Sequence, residues 1–478
     1  MDTNVNIIGA GLAGSEAALQ LADAGFRVTL FEMRPVCSTE VHHSDCCAEL
    51  VCSNSLKSTK EASAAGMLKH ELSALGSVLY RCALDCRVPA GGALAVDRTS
   101  FAERVTGLVE AHPRIALVRG RVDGVLEDGD VLFSDGAGKA RPAGLPAKAV
   151  VIATGPLTAS ALSEGLARLV GSQSLAFFDA AAPIVMADSL DESILFRQSR
   201  YEEEGLGDYL NAPFSKDEYE RFIGELVAAD RVIRRDFETK DLFQACQPIE
   251  EIARKGVDAP RFGPLKPVGL VDPRTGHRPW AALQLRAENR EATSYNLVGF
   301  QTNLTFPEQK RVFRMIPGLE HAEFARYGVM HRNTFVDAPR ALDARGRFVR
   351  SRESGYAVPL FAAGQVSGTE GYCEAIRSGL QAAIGVAAEL SGATPPALPR
   401  QTAYGALWSY ATDPQTTGYQ PMHVNFGIMP PLPVRVKNKG ERYAAYAQRG
   451  ARALDAYIEA LKASGVPFAF GGAAAAGE

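Results

Sequence analysis

Residues 5–32 read VNIIGAGLAGSEAALQLADAGFRVTLFE. A short apolar run, Val5 to Ile8, leads directly into Gly9-Ala10-Gly11-Leu12-Ala13-Gly14. Ala17, Leu21 and Ala24 then recur at three- and four-residue steps, which predicts a helix. A second strand, FRVTLFE, follows and closes on Glu32. Strand, glycine loop, helix, strand and terminal acid in that order are the context a dinucleotide fingerprint requires. The glycines let the backbone approach a pyrophosphate at the helix N-terminus, where unpaired N–H groups and the helix dipole favour anions. Glu32 is then available to accept hydrogen bonds from ribose hydroxyls. The plainer alternative is a glycine-rich turn that packs a helix on a sheet.

Two later stretches favour FAD over NAD. AVVIATGP (149–156) is a buried strand ending in Thr154-Gly155, and YAVPLFAAGQ (356–365) is another ending in Gly364-Gln365. The second runs into the helical text CEAIRSGLQAAIGVAAEL (373–390). In a doubly wound sheet, ligands bind at the carboxyl ends of strands, so strand-ending glycines are expected there. The pattern resumes after about 200 residues, which implies an insertion. The fold class expected is α/β: an FAD-binding Rossmann-like domain with a smaller inserted α+β domain.

The bulk properties exclude several classes. The 478 residues are 46% hydrophobic and 22% charged, which suits a globular protein with a large core. A net charge of −4 gives no global field for nucleic acid, though a local basic patch is compatible with it. Apolar runs are short and broken, so no membrane span is expected. The N-terminus lacks a basic region and cleavage site, so no secretory signal is expected and a cytoplasmic location is. Eight cysteines in such a chain read as thiols rather than a disulfide frame.

At this length the strings become specific. IIGAGLAGSEAA, FEMRP, HHSD, AELVCSNSL, VPAGGALAVDR, ATGPLT, FFDAAAPIV, LNAPFS, FGPLKPVGL, VGFQTNL, PEQKRVFRMIPGLE, YGVMHRNTF, FAAGQVSGTEGY and QPMHVNFGIMPPL span nearly the whole chain. Together they resemble the TrmFO family of folate- and FAD-dependent tRNA (uracil-5-)-methyltransferases. The larger GidA (MnmG) family of tRNA-modifying flavoproteins shares the fingerprint and the FAAGQ stretch and resembles the chain less elsewhere. The resemblance implies formation of 5-methyluridine in the tRNA T-loop. It implies 5,10-methylenetetrahydrofolate as carbon donor, and NAD(P)H as reductant acting through FAD. It implies tRNA and folate as partners, with no stable protein partner.

That chemistry needs a thiol. Uracil C5 is a poor nucleophile; a thiolate adding to C6 makes an enolate whose C5 can attack a one-carbon electrophile. The thiolate is the reactive form and wants an electropositive, partly exposed site. Cys52, followed by Ser53-Asn54-Ser55, is expected at a helix start, since Ser and Asn are favoured caps. By resemblance, the cysteine of LVCSNS lies beside the flavin. A second family cysteine stands in a G-C-x-P-x-E-like stretch; here QACQPIEE supplies Cys246 with Ala245 in place of the usual glycine. The resemblance makes both catalytic, with Cys246 preferred as the attacking thiol and Cys52 as the flavin-side residue. For an arbitrary cysteine the alternative is a buried structural thiol. His42, His43, Cys46, Cys47 and Cys52 are of metal-accepting types, but without a C-x-x-C pair no metal site is expected. Cys82, Cys86 and Cys373 read as structural.

A pterin stacked on a flavin needs a second flat group. His331, in YGVMHRNTF, is preferred, with His43 the alternative; a hydrogen-bonded structural role competes for both. Arg34 is placed to reach the adenosine side of the cofactor or to be a solvated loop charge. Three basic clusters are RNA candidates: Arg231, Arg234 and Arg235; Arg345, Arg347, Arg350 and Arg352; and Lys437, Lys439 and Arg442. Residues 1–195 and 325–470 are expected to form the cofactor domain, 196–324 the insertion, and 471–478 a disordered tail. A capping box, Ser215 with Glu218, predicts a helix over 215–228. Cys373, Ile376 and Arg377 depart from the family's usual pattern. They lie on the helix after the flavin strand and bear on the flavin edge or only on its packing; the acidic net charge and Ala245 leave open a diverged paralogue, either acting on ribosomal RNA or working as a GidA-like flavoprotein. A non-catalytic flavin- or RNA-binding role is the third possibility.

Overall fold

The structure, a computed structural model, describes residues 3–39, 41–136, 138–171, 175–200, 207–232, 247–351, 353–417 and 419–470. The expected tail, 471–478, lies outside them.

The first core is built on a five-stranded parallel sheet. In spatial order its strands are Leu360–Ala362, Ala149–Ile152, Asn4–Ile8, Arg27–Glu32 and Ile115–Arg119. The chain starts in the middle strand, moves out to one side, then returns to the other. The order therefore reverses between Asn4–Ile8 and Ala149–Ile152, and ligands bind at such a switch point. Gly9 and Ala153 end those two strands, held by Gly9 N–H to Phe31 O (2.8 Å) and Ala153 N–H to Ile8 O (2.9 Å).

The helix Leu12–Asp23 follows the glycine loop as the periodicity predicts, and Ala13 through Ala22 are all buried. A second buried helix, Tyr372–Ser391, crosses it. The crossing is close because it is lined by glycine. A Cβ on Gly379 would lie 2.2 Å from Ala13 O; separately, one on Gly14 would lie 1.8 Å from Gly9 O, so glycine there seats the first helix on its own loop. Both helices thereby bring their N-termini to the carboxyl ends of the sheet.

A second core gathers residues from Val185 to Ala322. It stands on a six-stranded antiparallel sheet in the order Phe196–Arg197, Tyr209–Phe214, Ala281–Ala287, Ser294–Leu297, Ile184–Met186 and Phe324–Arg326. This sheet takes in Ile184–Met186, eleven residues and fewer before the expected boundary at 195. The helix Lys216–Ala228 covers it, capped by Ser215 and Glu218 in the predicted reciprocal box. A two-stranded ribbon, Leu175–Ala180 against Met330–Phe335, joins the two parts of the chain. Among the described residues no helix is long and apolar enough to cross a membrane.

The glycine crossing gives the first prediction. Gly379→Val should cost about 1–3 kcal/mol or more through overpacking. A denaturant midpoint equal to that of the wild type would show that the two helices do not need their close approach.

Candidate active site

One cavity opens at the switch point. Gly9, Gly11, Leu12, Ala13 and Glu32 line it, together with Thr154, Gly155, Gly364 and Gln365, and with Cys52, Lys57, Tyr372 and Cys373. Of the expected cofactor residues, Ala10 and Gly14 are not in the lining. They act behind it: Ala10 N–H donates to Glu32 Oε2 (3.0 Å), and Gly14 seats the helix.

Gly9 has φ +101°, and a Cβ there would meet Ala153 O at 2.5 Å, so backbone and packing both demand glycine. Gly11 is different. Its φ of −70° suits any residue, and a Cβ would meet nothing within 4 Å. The protein itself does not require glycine at position 11, whereas a phosphate drawn close to the helix N-terminus does. Also in the lining, Gln365 Nε2 is buried without a hydrogen-bond partner among the described residues. An open cradle and an unsatisfied donor in the same lining fit an elongated polar cofactor such as FAD.

Glu32 and Arg34 form a buried ion pair. Arg34 Nε donates to Glu32 Oε1 at 2.8 Å, and Nη1 reaches Glu49 Oε2 at 2.9 Å and Ser44 O at 3.1 Å. Burial alone would raise the Glu32 pKa; the hydrogen bonds and charge of Arg34 outweigh it and hold the carboxyl below its ordinary value. Arg34 is thus no solvated loop charge. It lines the cavity, but its guanidinium is spent on these carboxylates and on the loop 44–49.

Cys52 lies on the cavity wall, half-buried, with Sγ 3.8 Å from Ala180 O. The expectation of a helix start is corrected here. Asn54 and the serines do not cap a helix; they lead into the strand Ser55–Ser58. Asn54 Nδ2 donates instead to Val96 O and Ala287 O, both at 3.0 Å, and Ser53 Oγ accepts from Ser55 N–H. These side-chain bonds to the backbone compete with helix formation. Two arginines hold the loop that carries Cys52. Arg98 donates to Leu50 O (2.6 Å) and Cys52 O (3.1 Å) and pairs with Glu288. Arg326 donates to Val41 O (3.0 Å) and Val51 O (2.6 Å). The Cys52 and Ser53 N–H groups both donate to Tyr372 Oη, at 2.9 and 3.1 Å. Burial and then the facing Cys52 raise the Tyr372 pKa, so the phenol stays protonated.

Arg98, Arg326, Tyr372 and Lys57 were not singled out from sequence. Arg98 and Tyr372 fall in the quoted strings VPAGGALAVDR and FAAGQVSGTEGY, which was the one signal available. Lys57 takes a left-handed φ of +67° and reaches Glu374 at 3.4 Å beside the N-terminus of the helix Tyr372–Ser391. Cys373 joins the cavity lining while remaining buried, and burial pushes its thiol up to about 11. Cys82 and Cys86 pack in the first core as expected. Arg377 is fully buried over the Tyr404 ring, 4.6 Å from its centre, and away from the cavity lining.

Of the folate candidates, His43 is exposed and absent from the lining, while its neighbour His42 is in it. His331 lies in the strand Met330–Phe335 opposite Asp179, but its side chain is outside the described residues. Cys246 is also outside them. The part of its motif that follows is described: Ile249 N–H donates to the O of cavity-lining Gln301 (2.8 Å), and buried Glu250 accepts from Asn303 N–H and Thr302 Oγ1. Among the described residues no three metal-ligating side chains converge.

Comparison with known proteins agrees with this geometry. The family model described as "Glucose inhibited division protein A" matches residues 4–394. Methylenetetrahydrofolate--tRNA-(uracil-5-)-methyltransferase TrmFO of Moorella thermoacetica is 48% identical over 465 residues, covering 97% of this chain and 100% of the relative. The protein of the same name from Geobacter sulfurreducens is 50% identical over 455 residues, covering 95% and 98%. The chain belongs to the TrmFO family. GidA of Aquifex aeolicus shares the fold, with a TM-score of 0.68 at 18% identity over 95% of this chain and 73% of that one. In this TrmFO member the fingerprint, both strand-end glycines and the LVCSNS thiol meet at one cavity.

Two predictions follow from the site. Gly11→Val should fold with unchanged secondary structure yet purify with little bound flavin; a stoichiometric flavin spectrum would show that nothing approaches Gly11. The second concerns His42, which burial and Arg34 push down from 6.5 to about 4. Its folded pKa lies below its unfolded one, so its contribution to stability is full above pH 6.5 and is lost as pH falls toward 4. Denaturant midpoints taken from pH 7 to pH 4 should fall less steeply in His42→Gln than in wild type.

Proposed function

We propose that this chain methylates a uridine of tRNA at C5, in the T-loop, taking the carbon from 5,10-methylenetetrahydrofolate and reducing equivalents from NAD(P)H through FAD. Near-full-length identity of 46–50% to relatives that carry this activity in their names carries the conclusion. The glycine loop, Glu32, Thr154, Gly155, Gly364 and Gln365 would hold FAD, which supplies the redox chemistry when bound. Cys246 would add to uracil C6 and raise electron density at C5. The hydrogen bond from Ile249, three residues on, to cavity-lining Gln301 supports a place for that motif beside the site. Cys52 would stand on the flavin side, where Arg98 and Arg326 hold the carbonyls of its loop. His331 would stack on the pterin. Residues 1–195 and 325–470 would carry the cofactor and 196–324 the inserted substrate-side unit.

The test is direct. Purified protein with unmodified tRNA transcript, methylenetetrahydrofolate and NADPH should yield 5-methyluridine by mass spectrometry of the digest, and Cys246→Ala and Cys52→Ala should each lower the yield at least about a hundredfold. Flavin-bound protein that makes no methylated base would sink the methyltransferase assignment. Full turnover in both variants would sink the roles given to the two thiols.

A further inference from the structure

The sequence offers three basic clusters, and the structure separates them. Arg231 is paired with Glu251 at 2.8 Å. Arg345 reaches Glu389 at 3.8 Å, Arg347 reaches Asp343 and Glu389 at 3.2 and 3.3 Å, and Arg350 reaches Glu353 at 3.4 Å. Those cations are neutralised by their own neighbours; Arg234, Arg235 and Arg352 lie outside the described residues. The third cluster is different. Arg435, Lys437 and Lys439 are exposed, Arg442 is half-buried, and among the described residues none of the four has an acidic partner. The segment RVKNKGER (435–442) holds four basic residues against the single acid Glu441, in a chain whose net charge is −4.

We propose that this C-terminal ridge is the surface that grips the ribose–phosphate backbone of the RNA substrate; the proposal rests on the tRNA activity proposed above. Three features make it a built surface rather than a loose charged loop. First, it is braced. Phe426 stacks on Tyr443 with ring centres 4.2 Å apart and lies 5.2 Å from Tyr446. Arg449 donates to Pro430 O and Pro431 O at 2.6 and 2.9 Å. Lys439 and Arg442 lie over the Tyr443 ring, at 5.5 and 5.7 Å. Second, it borders a shallow groove lined by Leu432, Val434, Arg435, Lys437 and Arg442. Third, it is tied to the cavity rim. Glu370, in the cavity lining, donates its N–H to Met422 O at 3.0 Å. Val424 N–H donates to Glu374 Oε1 at 3.1 Å, and Lys57 at the cavity wall reaches the same oxygen. The brace Phe426 follows two residues later. Cations without acidic partners among the described residues, on a segment tied to the rim of the proposed uridine-modifying cavity, suit a polyanion whose target base must enter that cavity.

The test compares flavin-bound wild type with the triple variant Arg435→Gln, Lys437→Gln, Lys439→Gln, all at exposed positions. Binding of unmodified tRNA transcript is measured by fluorescence anisotropy over a range of salt concentrations. Flavin spectrum and melting temperature report that the variant is folded. We expect binding at least about tenfold weaker and a log–log salt slope shallower by about two to three. A control with the same loss of charge at paired sites, Arg345→Gln with Arg347→Gln and Arg350→Gln, should bind like wild type. Equal weakening in that control, or wild-type binding and slope in the ridge variant, overturns the ridge alone. Wild type that binds no tRNA overturns the tRNA activity and the ridge with it. Unaltered tRNA binding in the ridge variant together with lost sedimentation on phosphatidylglycerol vesicles would assign the ridge to a membrane surface instead.

Discussion

The site depends on the crossing of two helices that are some 360 residues apart in sequence. Leu12–Asp23 and Tyr372–Ser391 touch where Gly379 faces the Ala13 backbone. No side chain larger than hydrogen fits at Gly379 without backbone movement. The contact therefore sets the separation of two helix N-termini, and with it the width of the cavity between the glycine loop and the Gly371–Cys373 turn. Both N-termini carry unpaired N–H groups and positive dipole ends. Anionic or electron-rich groups of a cofactor laid across the switch point would meet one at each end.

The thiol wall is held by a different device. Arg98 and Arg326 come from the two parts of the chain, yet both donate to carbonyls of the loop that carries Cys52. Each guanidinium acts as a cross-brace for that loop. Tyr372 adds a third tie, from the helix that forms the cavity floor, through its hydroxyl to the Cys52 and Ser53 N–H groups. The loop is irregular, but its backbone groups are satisfied from three directions, which is how a non-helical segment stays fixed at the cavity wall.

The parallel sheet, its fingerprint and the strand-end glycines were legible because they depend on local pattern: apolar runs, a 3.6-residue period and glycine where φ is positive. The capping box at Ser215 was legible for the same reason. The expected helix after Cys52 was not formed, because Asn54 finds its partners at Val96 and Ala287, which are remote in sequence. Arg34 was placed near the cofactor, but its pairing with Glu49 depends on how the loop folds back. His43 and His42 are adjacent in sequence, and only the path of that loop turns His42 rather than His43 to the cavity.

By itself, then, the sequence determined the fold class, the cofactor loop and the family, since these are written in short-range spacing and in strings of specific residues. Tertiary structure alone decided which charges are free. Arg231, Arg345 and Arg347 look in sequence much like Lys437 and Lys439, yet the first three meet carboxylates from neighbouring elements and the last two meet none among the described residues. Coulomb interactions fall with distance through space, not along the chain, so a cation's availability to a partner is a property of the folded surface.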